Sequence, residues 1–348
     1  MKDLAQRFPE NPLLLPKDVQ PSSPGLQVIS LLNPGVFQYQ GKIWLLVRVA
    51  ESIAQKEGFL NFPVINATGN TEIIEVPLND PNLTATDARV IKYKGLDYLT
   101  TISHLRLLSS NDGIHFSEPL ENASLFGSGS LERFGIEDCR VSQIENTYYL
   151  TYTAVSDSGV GVGLRTTTNW IDFDHKGMIF APHNKDCALF EEKINGKYYA
   201  LHRPSSVEIG GNYIWLAESS DGVQWGNHQC LIKSRPGLWD STRVGAGAAP
   251  IKTKQGWLEI YHGANADNQY CLGAFLMDLN DPSKVISRTT EAIMVPTEVY
   301  ELSGFFGYVV FTNGHVVNGD EVTIYYGAAD EFVCGAKFSI DVILKNMK

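Results

Sequence analysis

The sequence predicts an all-β chain whose strands close as a five-bladed β-propeller around a central active-site channel. Three observations carry that expectation. A strand–turn–strand pattern recurs five times, a second kind of turn follows most of the copies, and no long stretch has the i, i+3, i+4 periodicity of an amphipathic helix.

The five copies run Phe37–Arg48, Ser142–Thr153, Glu192–Arg203, Ile251–His262 and His315–Tyr326. Each reads as a strand, a tight turn at Gly41, Asn146, Gly196, Gly256 or Gly319, and a second strand in which aromatic residues alternate with small or polar ones. Gly and Asn tolerate the positive φ of a two-residue hairpin turn, and a period of two marks a strand with two different faces. A third strand and a second turn follow in Leu105–Phe116, Leu164–Phe173 and Ile214–Trp225, so each unit has four strands. Turns at 146, 196, 256 and 319 lie 50, 60 and 63 residues apart, and the interval from 41 to 146 has room for two units. Radial closure would remove the open edges of such an array, which argues for one domain over residues 1–348, its terminal segments closing the ring. Two stacked β-sandwiches are the alternative use of the same strands.

Composition narrows the function classes. No apolar run approaches the roughly 20 residues that span a bilayer. The first residues, Met1 to Pro9, lack the apolar core of a secretory signal. Five dispersed cysteines, an odd number without a C-x-x-C pair or metal-ligand spacing, fit a reducing compartment. The expectation is a cytoplasmic protein with no bound metal and no cofactor. A formal charge of −11 speaks against nucleic acid or an anionic membrane as partner, because both need a basic surface. A small anion remains compatible if basic groups converge locally, and so does a homo-oligomer.

In a propeller the first strand of each unit lines the channel, so polar residues there converge from distant positions. The segments concerned are Asn33-Pro34-Gly35, Ile136 to Arg140, Asn184-Lys185-Asp186 and Thr242 to Gly247. Glu137-Asp138-Cys139-Arg140 sets two carboxylates beside a guanidinium on a strand, where alternation lets only one of the acids face the channel. A carboxyl facing a sugar in a partly dry channel can have a raised pKa and act as a general acid. The plainer reading of Asp138 is a structural ion pair with Arg140. His202-Arg203 and Tyr261-His262 close two hairpins at one repeat position. A His beside an Arg there is ordinarily a surface or satisfied core residue. However, Lys185, Arg203, Arg243 and His262 come from neighbouring units, and together they make an anion site. Most of the abundant aromatics belong between sheets.

At these residues the chain resembles glycoside hydrolase family 130, the mannoside phosphorylases and their relatives. The likeness extends from Asn33-Pro34-Gly35 to Tyr325–Asp330 and is most specific in Gly135–Arg140, in Asn184–Phe190 with Leu201–Pro204, and in Gly245–Gly247 with Ile260–Gly263. It implies a five-bladed propeller, which agrees with the repeat. It also implies inverting phosphorolysis of β-mannosides to α-mannose 1-phosphate, with inorganic phosphate as co-substrate. By the same resemblance Asp138 is the catalytic acid, passing its proton through the mannosyl 3-hydroxyl. Asn33, Arg48 and Asp330 bind the mannosyl unit, and Arg89, His104, Arg140, Asp186 and Tyr261 contribute further substrate-binding positions. Lys185, Arg203, Arg243 and His262 hold phosphate. Cys139 stands where the family often has Pro, and Arg243 where it often has Lys.

The inventory suits that chemistry. An inverting hydrolase needs a second carboxylate to activate water, whereas phosphate is already a nucleophile and needs cations to bind and aim it. The competing readings are a β-1,2-mannosidase of the same family, a β-1,4-mannoside phosphorylase, and a non-catalytic carbohydrate-binding propeller, which would have no use for Asp138. Tyr98–Arg106 followed by Ser109–Gly113 resembles the β-1,2-active branch. Loops around 53–75 and 205–212 are expected to shape the acceptor subsite.

Overall fold

The computed structural model describes residues 3–66, 69–85, 89–119, 124–205 and 209–347. The chain is all-β, with helix confined to a few short turns such as Val299–Leu302 and Ile340–Lys345. Five sheets of four main strands each follow one another. Sheet I has Leu26–Tyr39, Lys42–Ile53, Ile102–Ser110 and Ser124–Leu125; sheet II has Ile136–Ile144, Thr147–Ser156, Gly159–Thr167 and Asp174–Phe180. Sheet III has Asn184–Leu189, Tyr198–Pro204, Ile214–Ser219 and Gly226–Ile232; sheet IV has Arg243–Ala246, Trp257–Ala264, Tyr270–Met277 and Val285–Arg288. Sheet V has Val310–Asn318, Glu321–Ala328, Phe332–Ser339 and, as its outermost strand, Gln6–Arg7 from the other end of the chain. Contacts run from I to II, II to III, III to IV, IV to V and V back to I, largely through the first strands.

Local chemistry accounts for the hairpins. Gln40 and Gly41 both have positive φ, as do Asn195 and Gly196, the combination that lets a two-residue turn follow the twist of its strands. The second turns share one hydrogen-bond set. Asp112 Oδ1, Asn169 Oδ1 and Asp221 Oδ1 each accept from the two backbone N–H groups that lie two and three residues on. A short acceptor at that corner replaces the ladder bonds the turning backbone loses. Between sheets lie apolar layers, such as Phe37, Leu46, Tyr148 and Trp170 between I and II.

The interval from 41 to 146 corrects one expectation. It holds one main sheet, enlarged by an insertion between the second and third strands of sheet I: a hairpin of Phe59–Ile65 with Thr71–Pro77, then a small sheet of Leu83–Ala85, Val90–Tyr93 and Leu96–Leu99. Phe62, Val64, Val76 and Ile91 bury against Phe134 and Val155, so the insertion has its own apolar cluster and reads from sequence like a further unit. The stretch 53–75, expected as loop, contains this hairpin; its residues 67 and 68, with 206–208 of the second expected loop, lie outside the described residues.

The first strands are broken at one level. Register shifts occur between Leu32 and Gly35, Glu137 and Arg140, Lys185 and Ala188, and Thr312 and Gly314. Three of these bulges carry Asn33, Asp138 and Asp186 at φ 31, 47 and 52. Asn and Asp are the non-glycine residues that enter this left-handed region most readily, and a bulge re-aims the side chain it carries.

Sheet V is completed by a buried ion pair. Arg7 Nε donates to Glu301 Oε1 at 2.8 Å and Arg7 Nη2 to Glu301 Oε2 at 3.1 Å, with the Glu301 side chain wholly buried. Arg7→Ala strands that carboxylate away from water and is expected to cost about 3–5 kcal/mol of unfolding free energy. Denaturant titration of the variant against the wild type measures the loss.

Candidate active site

The bulges aim their side chains into a cavity of about 530 Å³ whose wall takes residues from all five sheets. Asn33 and Arg48 come from sheet I, Asp138 from II, Lys185, Asp186 and Arg203 from III, Arg243 from IV, and Asp330 from the turn after the second strand of V. Arg89, from the insertion, lies on the rim with its guanidinium 5.1 Å from the centre of the Phe306 ring.

One side of the cavity is built on Arg48. Its Nη2 lies 2.8 Å from Glu137 Oε1, its Nη1 3.2 Å from Asp138 Oδ1, and its Nε donates to Ser103 Oγ at 3.1 Å. Asn33 Nδ2 also donates to Asp138 Oδ1, at 3.1 Å. Strand alternation would have turned Glu137 and Asp138 to opposite faces; the bulge between Glu137 and Arg140 brings both onto one guanidinium. The alternative pairing of Asp138 with Arg140 is also replaced: Arg140 Nη1 reaches only the Asp138 main-chain oxygen, at 2.9 Å.

Arg140 turns to the other side. It is buried beneath the cavity and donates to Gly247 O, Ala246 O and Asp186 Oδ1 at 3.1, 3.0 and 3.2 Å. Asp186 Oδ2 in turn lies 3.0 Å from Arg203 Nε and 3.2 Å from His262 Nε2. A methyl at Gly245 would fall 2.2 Å from Asp186 Oδ2 and 2.4 Å from His262 Nε2, so only glycine admits this approach. Arg243 is aimed by Tyr270 OH and Asn268 Oδ1, each 3.0 Å from one of its terminal nitrogens.

Two carboxyls that both feel the Arg48 charge, Asp138 and Asp330, are driven apart. Burial would raise Asp138, but Arg48, Arg140 and Lys185, with the Asn33 amide, hold it below the usual carboxylate range. Asp330 is pushed up to about 6, chiefly by burial and further by the Asp138 and Glu137 charges, against the pull of Arg48. The raised pKa expected of Asp138 is thus found on Asp330. Burial, opposed by Asp186 and aided by Arg203 and Arg140, lowers His262 to about 4 and leaves its imidazole neutral near pH 7.

Two expected substrate-binding residues lie away from the cavity. His104 is buried within sheet I, stacked 4.8 Å from Phe126, and pushed down to about 3 by burial and Arg106. Tyr261 is buried in sheet IV, its hydroxyl donating to Asp240 Oδ2 at 2.7 Å and accepting from Arg288 Nε at 2.9 Å. Neither lines the cavity, because their strands run unbroken through those positions and alternation turns both side chains into buried packing. Arg140 and His262 stand behind the wall, touching it through Asp186. Wall residues not anticipated include Asn268 and Phe306, from loops, and Tyr270 and Phe311, from the strands Tyr270–Met277 and Val310–Asn318, none of them in a readable motif. Asn33 Oδ1, Arg243 Nε and His262 Nδ1 are buried without a hydrogen-bond partner, a concentration of unsatisfied polar atoms that marks a ligand site. Among the described residues, no group of three or more His, Cys, Asp or Glu side chains is arranged to hold a metal ion.

An acid pair facing a cationic wall across a sugar-sized cavity is the arrangement of a glycoside-processing enzyme, and the chain belongs to glycoside hydrolase family 130. The family model, described as beta-1,4-mannooligosaccharide phosphorylase, matches residues 88–348. The chain is similar to a beta-1,2-mannobiose phosphorylase of Listeria innocua serovar 6a, 45% identical over 348 residues and 98% of each chain. It is also similar to a 1,2-beta-oligomannan phosphorylase of a Thermoanaerobacter species, 42% identical over 235 residues, 67% of this chain and 77% of that one. A solved structure of the Listeria innocua enzyme in complex with beta-1,2-mannobiose superposes with a TM-score of 0.93 at 44% identity, over 99% of both chains.

The Asp330 shift makes stability depend on pH. The folded carboxyl keeps its proton up to about pH 6, while the unfolded one releases it near pH 4, so the folded state binds more protons in between and stability falls as pH rises through that window. Asp330→Asn is expected to raise the thermal midpoint of the ligand-free protein above about pH 7 and to leave it unchanged below about pH 4. Melting curves across that range check the sign.

Proposed function

We propose that this enzyme catalyses inverting phosphorolysis of β-1,2-mannobiose and short β-1,2-mannooligosaccharides, releasing α-mannose 1-phosphate and a sugar shortened by one unit. The observation that carries the reading is a single cavity lined by Lys185, Arg203 and Arg243 together with Asp138, with the Arg243 Nε buried and unsatisfied. Names of the Listeria innocua and Thermoanaerobacter relatives support the β-1,2 linkage. The five sheets, with contacts returning from V to I and the N-terminal strand completing V, support a five-bladed propeller forming a single domain. Inorganic phosphate is the co-substrate and no other cofactor takes part. The reaction belongs in the cytoplasm, where the energy of the glycosidic bond is retained in a usable sugar phosphate.

Asn33, Arg48 and Asp330 hold the mannosyl unit. Phosphate sits on Lys185, Arg203 and Arg243, with His262 acting from behind through Asp186, and attacks the anomeric carbon from the face opposite the leaving oxygen. Asp138 supplies the proton to that oxygen by way of the mannosyl 3-hydroxyl. The surrounding cations hold Asp138 below the usual carboxylate range and so ionised. Phosphate brings negative charge against those cations and raises the proton affinity of Asp138, so the acid is loaded when both substrates are present.

Cleavage of β-1,2-mannobiose, followed by release of mannose 1-phosphate, is expected to require phosphate. Undiminished turnover to free mannose in phosphate-free buffer would establish a mannosidase instead. Asp138→Asn is expected to lower kcat/KM by about 10²–10⁴ while mannobiose still binds; full activity in that variant removes Asp138 from the role of acid.

A further inference from the structure

We propose that Asp186 makes the cationic wall selective for oxyanions that carry a proton, phosphate and arsenate, against sulfate, which carries none. The proposal rests on the reading of that wall as the phosphate site, and it assigns a negative side chain within that site a purpose.

Asp186 lines the cavity together with Lys185, Arg203 and Arg243. It occupies a bulge at φ 52, its side chain is 1% exposed, and every polar contact it makes is with a donor: Arg140 Nη2 at Oδ1, and Arg203 Nε and His262 Nε2 at Oδ2. Those partners fix the carboxylate in place, and the missing side chain at Gly245 gives it room. Burial opposes its ionisation, but Arg203, the His262 imidazole and Arg140 hold it well below the usual carboxylate range. It is therefore an acceptor with no proton to give. Its Oδ1 has one hydrogen-bond partner, Arg140, which leaves an acceptor direction for a ligand.

A wall built only to attract anions would have no carboxylate in it, because that charge weakens the hold on any oxyanion. The gain is discrimination. Phosphate and arsenate keep at least one proton near neutral pH, and their P–OH or As–OH group can donate to Asp186. Sulfate presents only lone pairs there, so a buried acceptor meets another acceptor without compensation. The same contact aims the nucleophile. With the protonated oxygen on Asp186, the unprotonated oxygens face the cations and the sugar. In the reaction one of these forms the bond to the anomeric carbon, the glycosidic C–O bond breaks, and the leaving oxygen takes the proton originating on Asp138. The sugar phosphate departs as a monoanion that keeps its P–OH, and Asp138 is left ionised.

The test is anion competition on the intact enzyme, with β-1,2-mannobiose as substrate and chloride as an ionic-strength control. Arsenate is expected to replace phosphate in supporting cleavage. Sulfate at ten times the phosphate KM is expected to slow phosphate-dependent cleavage less than twofold. In Asp186→Asn, whose amide can donate to sulfate, the inhibition constant for sulfate is expected to fall at least tenfold. Two results overturn the proposal: sulfate competing in the wild type with an inhibition constant within threefold of the phosphate KM, or an Asp186→Asn enzyme with unchanged preference between the two anions. The wild-type competition decides the matter by itself if the variant does not fold. Cleavage that needs no phosphate would instead remove the phosphorylase reading, so the two failures are distinct.

Discussion

The Arg140 guanidinium holds the centre of the molecule together. It is buried, and its hydrogen bonds reach main-chain oxygens of Ala246 and Gly247 beside sheet IV, the Asp138 main chain in sheet II and the Asp186 carboxylate in sheet III. A guanidinium taken out of water at this depth is tolerable only when its fork of donors is filled. Filling it sets three of the five sheets in register and at the same time anchors the two aspartates that face the cavity. A single buried cation therefore links the packing of the sheets to the geometry of the site.

The bulges are the second half of that constraint. Asn33, Asp138 and Asp186 leave the ladder in their first strands, and successive segments are tied to one another: Asn313 Nδ2 to Asn33 O, Asn33 Nδ2 to Asp138, Arg140 to Asp186, Asp186 to His262. Left-handed backbone is costly for most residues and cheaper for Asn and Asp, so the same short polar side chains that allow the bulge also point into the cavity. Chemistry then separates by position. Arg48 collects the carboxyls on one side, and Asp186 collects the cations on the other. Asp138 beside the cations is lowered and Asp330 is raised, so the environment drives the two carboxyls apart.

Much of this was legible in the sequence because it is local. Turn residues and period-two alternation identify each hairpin without reference to anything distant, and the family motifs mark Asp138, Lys185, Arg203 and Arg243, all of which line the cavity. Legibility ended where a strand stops being regular. Alternation predicted opposite faces for Glu137 and Asp138, and the bulge put both on Arg48. The insertion at 59–99 looked like another unit because its strands have the same pattern as those of the main sheets. His104 and Tyr261 were expected at the site by resemblance, yet both are buried away from the cavity.

The sequence by itself determined the all-β class, the repeating hairpins, a net charge of −11 that speaks against polyanionic partners, and the acidic and basic residue types that meet in the cavity. Only the tertiary structure decided which carboxyl is paired with which cation, that Asp186 sits among Arg140, Arg203 and His262, and that Asp330 carries the raised pKa. Pairing and burial depend on distances between residues far apart in the chain, such as the 90 positions separating Arg48 from Asp138. No local pattern encodes such a distance; the packing of five sheets sets it.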